Sequence, residues 1–182
     1  KKMVKTYVQA VLNQKKNLLR VIRNSDSLHN EEFTFKCVFS HASIGQHLRH
    51  SLNHIRTLLD AVNQDEAKIS YDRRVRGSDL ETCIDSATVE VENLFNQLNE
   101  NINLDKKLTV CFMKDQEANE IEFDSKMSRE LAFVAHHGIH HNATILMLIR
   151  SNPKLSHLFE PLMKTTSGFG KAPSTLAFEN EQ

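Results

Sequence analysis

Apolar residues recur at helical spacing through much of this chain. Val4, Val8, Val11, Leu12, Leu18, Leu19 and Ile22 fall on one stripe and predict an amphipathic helix over about residues 3–23. The run Asn24-Ser25-Asp26-Ser27 closes it with turn formers. From there to His41 the apolar residues Phe33, Phe35, Val38 and Phe39 keep no period, so this stretch reads as an ordered connection packed on the helices. Ser43 with Gln46 three residues on forms a capping box, which predicts a second helix running to about Asn63. Its apolar side is Ile44, Leu48, Leu52, Ile55, Leu58, Leu59 and Val62. Ser78 with Glu81 repeats the capping pattern and predicts a third helix from about Asp79 to Asn99, carried by Leu80, Ile84, Ala87, Val91, Leu94, Phe95 and Leu98.

Between residues 107 and 124 the period changes. Leu108, Val110 and Phe112 alternate with polar residues, as do Ile121 and Phe123, and the polar stretch Lys114 to Asn119 separates them, which predicts a hairpin. A fourth helix is expected from near Ser128 to about Arg150, stopped by Asn152-Pro153. Leu155 to Met163 has the length of a short fifth helix, and the tail carries Gly168-Phe169-Gly170 before ending in polar residues. The expected architecture is all-α: an antiparallel four-helix bundle with a small β-hairpin inserted between helices three and four, as a single domain over 1–182.

Composition narrows the function classes. Lys+Arg and Asp+Glu both number 23, so the formal charge is zero and the basic surplus that phosphate backbones require is missing; no nucleic-acid partner is expected. No apolar run reaches bilayer length, so no membrane association is expected. The three cysteines, Cys37, Cys83 and Cys111, are odd in number and far apart, neither a disulfide framework nor a thiolate metal site; buried reduced thiols and a cytoplasmic setting are expected. Oligomeric state is open between monomer and homodimer, since helix one could turn its apolar face inward or to a second copy.

The candidate chemistry is concentrated in histidine. Seven of the ten histidines lie in two clusters, Gln46-His47-Leu48-Arg49-His50-Ser51-Leu52-Asn53-His54 and Ala135-His136-His137-Gly138-Ile139-His140-His141, each inside a predicted long helix. At about 100° per residue, His47, His50 and His54 share one stripe of helix two. On helix four, His137 and His141 form an i, i+4 pair, and His136 and His140 form a second pair one residue round. An i, i+4 pair brings two imidazoles within reach of one ion, and a third from the facing helix completes a three-ligand site with an open position. Neither His-Glu-x-x-His nor Glu-x-x-His occurs, so a zincin protease and a carboxylate-bridged di-iron bundle are both excluded, leaving a mononuclear histidine site. The competing reading is that these histidines cap, hydrogen-bond or sit half-exposed. It must explain several imidazoles turned into one seam without partners.

The chain resembles the DinB/YfiT-like superfamily of metal-binding four-helix bundles. The resemblance is carried by Ser43-Ile44-Gly45-Gln46-His47-Leu48-Arg49-His50, by Tyr71-Asp72-Arg73-Arg74, by Arg129-Glu130-Leu131-Ala132-Phe133 leading into His137-Gly138-Ile139-His140-His141-Asn142-Ala143, and by Phe169-Gly170-Lys171-Ala172-Pro173-Ser174-Thr175-Leu176. It spans about residues 40–176. It implies one divalent ion (zinc, nickel or iron) held by His50, His137 and His141, with His47, His54 and His140 as neighbours or alternative ligands. Many members carry an acid near the position that His54 occupies here. Some members transfer low-molecular-weight thiols to electrophiles.

Two functions are therefore in view. One is a metal-dependent thiol S-transferase or related enzyme, in which the ion activates a thiolate or water, His47, His54 and His140 orient ligands or shuttle protons, and Arg73, Arg74 and Arg76 receive an anionic substrate. The other is a non-catalytic, metal-stabilised binding module. A haem-binding bundle ranks third. Glu130, two turns before His137, is either an acceptor behind the site or a charge favoured at a helix start.

Overall fold

The first apolar stripe folds as expected. In the computed structural model, which describes residues 2–25, 29–38, 40–65, 67–73 and 75–181, helix α1 spans Lys2–Arg23. Val8, Val11, Leu12, Leu18, Leu19 and Ile22 are all buried in the main core. Phe39 and Arg74 lie outside the described residues.

The expected connection contains a short helix, α2 (His29–Thr34), which buries Phe33 completely. Six residues are too few for a legible period, so only the burial of Phe33 was foreshadowed. Helix α3 covers Ile44–Asp60 and starts with the expected capping box: Gln46 N–H donates to Ser43 Oγ, and Ser43 N–H donates to Gln46 Oε1, both at 3.1 Å. Two amides that would otherwise lack partners at the helix start are thereby satisfied.

The second expected box does not form. Ser78 makes no side-chain cap; a 3₁₀ turn occupies Asp79–Glu81, and helix α4 begins later, at Ile84–Asn99. Glu81 is drawn elsewhere. Its Oε1 lies 2.8 Å from Arg49 Nε in an ion pair buried on both sides, and it accepts from Gly77 N–H at 3.1 Å. A guanidinium buried without a counter-charge is costly, and Glu81 supplies that charge to Arg49.

The hairpin is present as β2 (Lys107–Met113) and β3 (Glu120–Lys126), antiparallel with Val110 opposite Phe123. A three-residue strand that sequence periodicity did not show, β1 (Lys68–Ser70), adds parallel to β2, with Ile69 beside Val110. The sheet order is β1-β2-β3. Strand β3 runs straight into helix α5 (Met127–Ser151) with no loop. The first two amides of α5 are satisfied by the carbonyls of Lys106 and Leu104, at 2.9 and 3.0 Å, so no side-chain cap is required. A 3₁₀ turn at Ser156–Leu158 leads to helix α6 (Phe159–Thr165), and helix α7 (Pro173–Asn180) follows, a helix that the polar tail did not suggest.

The protein is thus mainly helical with a small three-stranded sheet. Helix α3 packs on α5 and α4, and α1 packs on the same two. Two glycines permit the closest approaches. A Cβ on Gly138 of α5 would stand 2.6 Å from Val11 Cγ1 of α1, and one on Gly45 of α3 would stand 2.1 Å from the Glu81 carbonyl oxygen. Gly138 is next to His137, so the α1–α5 contact lies beside the histidines. No helix among the described residues is long and apolar enough to cross a membrane.

Candidate metal centre

Helices α3 and α5 face each other, and their histidine stripes meet at that contact. His137 Nε2 lies 3.1 Å from His50 Nε2 and 3.1 Å from His141 Nε2. Nitrogens bound to one tetrahedral ion at about 2.0–2.1 Å stand about 3.3 Å apart. Each of these two spacings is close to that of a pair of ligands on one ion.

Ring orientation sharpens the assignment. His50 and His137 planes cross at 73°, His50 and His141 at 78°, and His137 and His141 at 70°, with centroids 4.6–5.0 Å apart. An imidazole lone pair lies in the ring plane. Crossed planes allow lone pairs to point toward a shared position between the rings, an orientation compatible with binding one ion. His54 also brings a ring nitrogen within 4.8 Å of those of His50 and His137. Its plane, however, is inclined only 24° to that of His137, with centroids 4.1 Å apart. Lone pairs in nearly parallel, stacked planes do not converge at bonding distance. Distance alone groups His50, His54 and His137; orientation groups His50, His137 and His141. Coordination is directional, so the second grouping is the better ligand set. Three histidines close together could hold a metal ion by either grouping.

The second pair lies one residue round, on the exposed side of α5. His136 is exposed and meets Tyr7 of α1 edge-on at 6.0 Å. His140 is exposed, with its ring 5.3 Å from His141 and 6.4 Å from His137.

Hydrogen bonds constrain the tautomers. His54 Nδ1 lies 3.0 Å from the His50 carbonyl oxygen and so must carry its proton there, donating to that oxygen. His141 Nδ1 lies 3.1 Å from His47 Nδ1. Burial first, then the nearby His137, His50, Lys15 and His47, pushes the His141 pKa down to about 2, and burial followed by His140 and Lys15 lowers that of His47. Both imidazoles are therefore neutral at neutral pH, the state a metal ligand requires. His47 Nε2 is buried with no hydrogen-bond partner among the described residues, an arrangement costing about 1–3 kcal/mol that packing alone does not explain.

Two polar assemblies flank the histidines. On one side Tyr71 stacks on His54, with planes 3° apart and centroids 4.9 Å apart. Its hydroxyl donates to Glu130 Oε2 at 2.8 Å, and Glu130, wholly buried, also accepts from Ser125 Oγ and Arg129 Nη1. Burial, then Glu130, raises the Tyr71 pKa, so the phenol stays protonated and remains the donor. Glu130 sits in the first turn of α5, as the helix-start reading has it, and also accepts hydrogen bonds, from a tyrosine, a serine and an arginine. On the other side Lys15 of α1 is wholly buried, donating to Asn142 Oδ1 at 2.7 Å. Asn142 Nδ2 donates to Gln14 Oε1, which also accepts from Gly170 N–H, binding the segment before α7 to this end of α1. Lys15 escaped the sequence reading because it sits on the apolar stripe of α1, four residues from both Val11 and Leu19; a lysine at such a position is the signal that was available.

The arginine loop is less focused. Arg73 makes a two-pronged contact with Glu120 of β3 at 3.1 Å through both Nε and Nη2, Arg76 is exposed with no partner among the described residues, and Arg74 lies outside them. Cys111 is buried, and Cys37 and Cys83 are half-buried rather than fully enclosed as expected. A surface groove of about 1260 Å³ runs between the sheet and the start of α5, walled by Phe112, Phe123, Ser125, Arg129 and Glu130; none of the histidines lines it.

Compared with known family models, curated proteins and solved structures, the chain matches none.

Proposed function

We propose that this protein binds one divalent metal ion through His50, His137 and His141, and that the ion serves reaction chemistry at an open coordination position. The observation that supports this best is the meeting of three steeply crossed imidazole planes with Nε2 atoms 3.1 Å apart in consecutive pairs. The arrangement of α1, α3, α4 and α5 is read as a four-helix bundle of the DinB/YfiT-like kind. Zinc, nickel and iron all accept this donor set.

When bound, such an ion supplies Lewis acidity that lowers the pKa of a thiol or water, giving a nucleophile at neutral pH. The chain's own residues supply the rest. His47 accepts the Nδ1 proton of His141 and so keeps His141 Nε2 available. His54 stands beside the tripod with its Nδ1 proton committed to a carbonyl. A low-molecular-weight thiol or other small molecule is the substrate class this chemistry fits, with thiol transfer to an electrophile as the reaction. Three ligands instead of four support this reading over the metal-stabilised module, since a closed structural site takes a fourth protein ligand.

The test is a screen of the metal-loaded protein against thiol and electrophile pairs, run beside His137→Ala. Turnover present in the parent and lost in the variant is expected. Metal bound with no turnover for any pair, together with a melting temperature that falls on chelation, would favour the non-catalytic module.

A further inference from the structure

We infer that Tyr71, fixed by Glu130, holds His54 out of the metal tripod and thereby keeps one coordination position open; this rests on the metal reading above. Four imidazoles are gathered here, one more than an open site uses. His54 brings a nitrogen within 4.8 Å of those of His50 and His137, so only its orientation separates it from being a fourth ligand. Zinc readily takes four protein ligands in a tetrahedron, and a fourth imidazole would leave no position for water or substrate.

Contacts from both sides set the His54 ring. Its Nδ1 proton goes to the His50 carbonyl oxygen at 3.0 Å. Its plane stacks on His137 at 24°. It also lies almost parallel to Tyr71, at 3°. The first two belong to the histidine cluster itself and would move with it. From outside the cluster come Phe133, with its centroid 6.3 Å away and its plane tilted by 44°, and Tyr71, whose stack is the closer and flatter of the two. Tyr71 enters from the segment after β1, is 4% exposed, and is tied by its hydroxyl to a carboxylate that is 0% exposed. That carboxylate is held in turn by Ser125 and Arg129, where β3 becomes α5. Rotation of His54 toward the tripod would break a flat stack against a ring that cannot follow it. Tyr71 is thus a positioning residue, acting on the coordination number through His54.

Cobalt(II) reports coordination directly. In the protein loaded with cobalt, X-ray absorption should count three imidazoles, and azide should bind with a saturable change in the visible bands. In Tyr71→Leu, which keeps apolar bulk but not the flat stack, the count should rise to four and azide affinity should fall at least tenfold. Adding His54→Ala to that variant should restore three imidazoles and the azide response, a rescue that general loosening of the fold would not give. Glu130→Leu is the second variant, expected to behave as Tyr71→Leu, should the latter not fold. A Tyr71→Leu protein that keeps three and binds azide normally overturns this inference alone; four imidazoles in the unmodified protein overturn it together with the open coordination position proposed above. Absence of cobalt binding overturns the metal reading, and this inference with it.

Discussion

His47 Nδ1 and His141 Nδ1 stand 3.1 Å apart across the α3–α5 contact. Only one of them can carry the proton between them. If His47 donates, neutral His141 must hold its proton on Nε2, aimed at His137, and cannot bind a metal. If His141 donates, its Nε2 presents a lone pair to the tripod. Metal binding through His141 would select the second arrangement and would make His47 the acceptor that fixes its tautomer. His47→Ala should therefore weaken metal affinity about 10- to 100-fold without removing a ligand. Competition against a chromophoric chelator measures this, and an affinity within twofold of the parent would show that His47 has no such role.

The fold should be intolerant of side chains at its two close approaches, to different degrees. Gly138→Ala drives a Cβ to 2.6 Å from Val11 Cγ1, a side-chain atom that can shift, and should cost about 1–3 kcal/mol. Gly45→Ala drives one to 2.1 Å from the Glu81 backbone oxygen, which cannot move without disturbing the buried Arg49–Glu81 pair, and should cost more. Val11→Ala should partly relieve Gly138→Ala and leave Gly45→Ala unchanged. Denaturant unfolding of the four variants decides; equal costs at the two glycines would contradict the account.

Lys15 should give the stability a pH dependence. Burial lowers its pKa from the ordinary 10.5 to about 7 in the folded protein. Between these values the unfolded chain holds a proton that the folded one lacks, so stability rises with pH across that window, by at most about 1.4 kcal/mol per pH unit. The contribution is complete above about pH 10.5 and is lost as pH falls toward 7; below that both states are protonated and the slope vanishes. Lys15→Met should abolish the slope and stabilise the protein at pH 7. Chemical denaturation of both proteins from pH 7 to 10 measures it, and identical slopes would refute the assignment.

The long helices were legible because each buries one continuous stripe, and the hairpin because its alternation is regular. What escaped notice depended on tertiary partners. Glu81 reads as a cap beside Ser78 until Arg49, thirty-two residues away, is placed next to it. Strand β1 has three residues and is a strand only because β2 lies alongside. Within the site, spacing brought the histidines onto facing stripes, yet it could not separate His54 from His141. That distinction lies in ring planes, set by Tyr71 on one side and His47 on the other. Tyr71 stood in a recognisable segment with no sign that its hydroxyl would meet Glu130.

The central claim is that His50, His137 and His141 converge on one ion, and metal content tests it most directly. Protein purified without added metal and analysed for zinc, nickel and iron should carry about one ion per chain at neutral pH, and His137→Ala should carry almost none. A content below about a tenth of an ion per chain in the unmodified protein, or an unchanged content in the variant, would contradict the account.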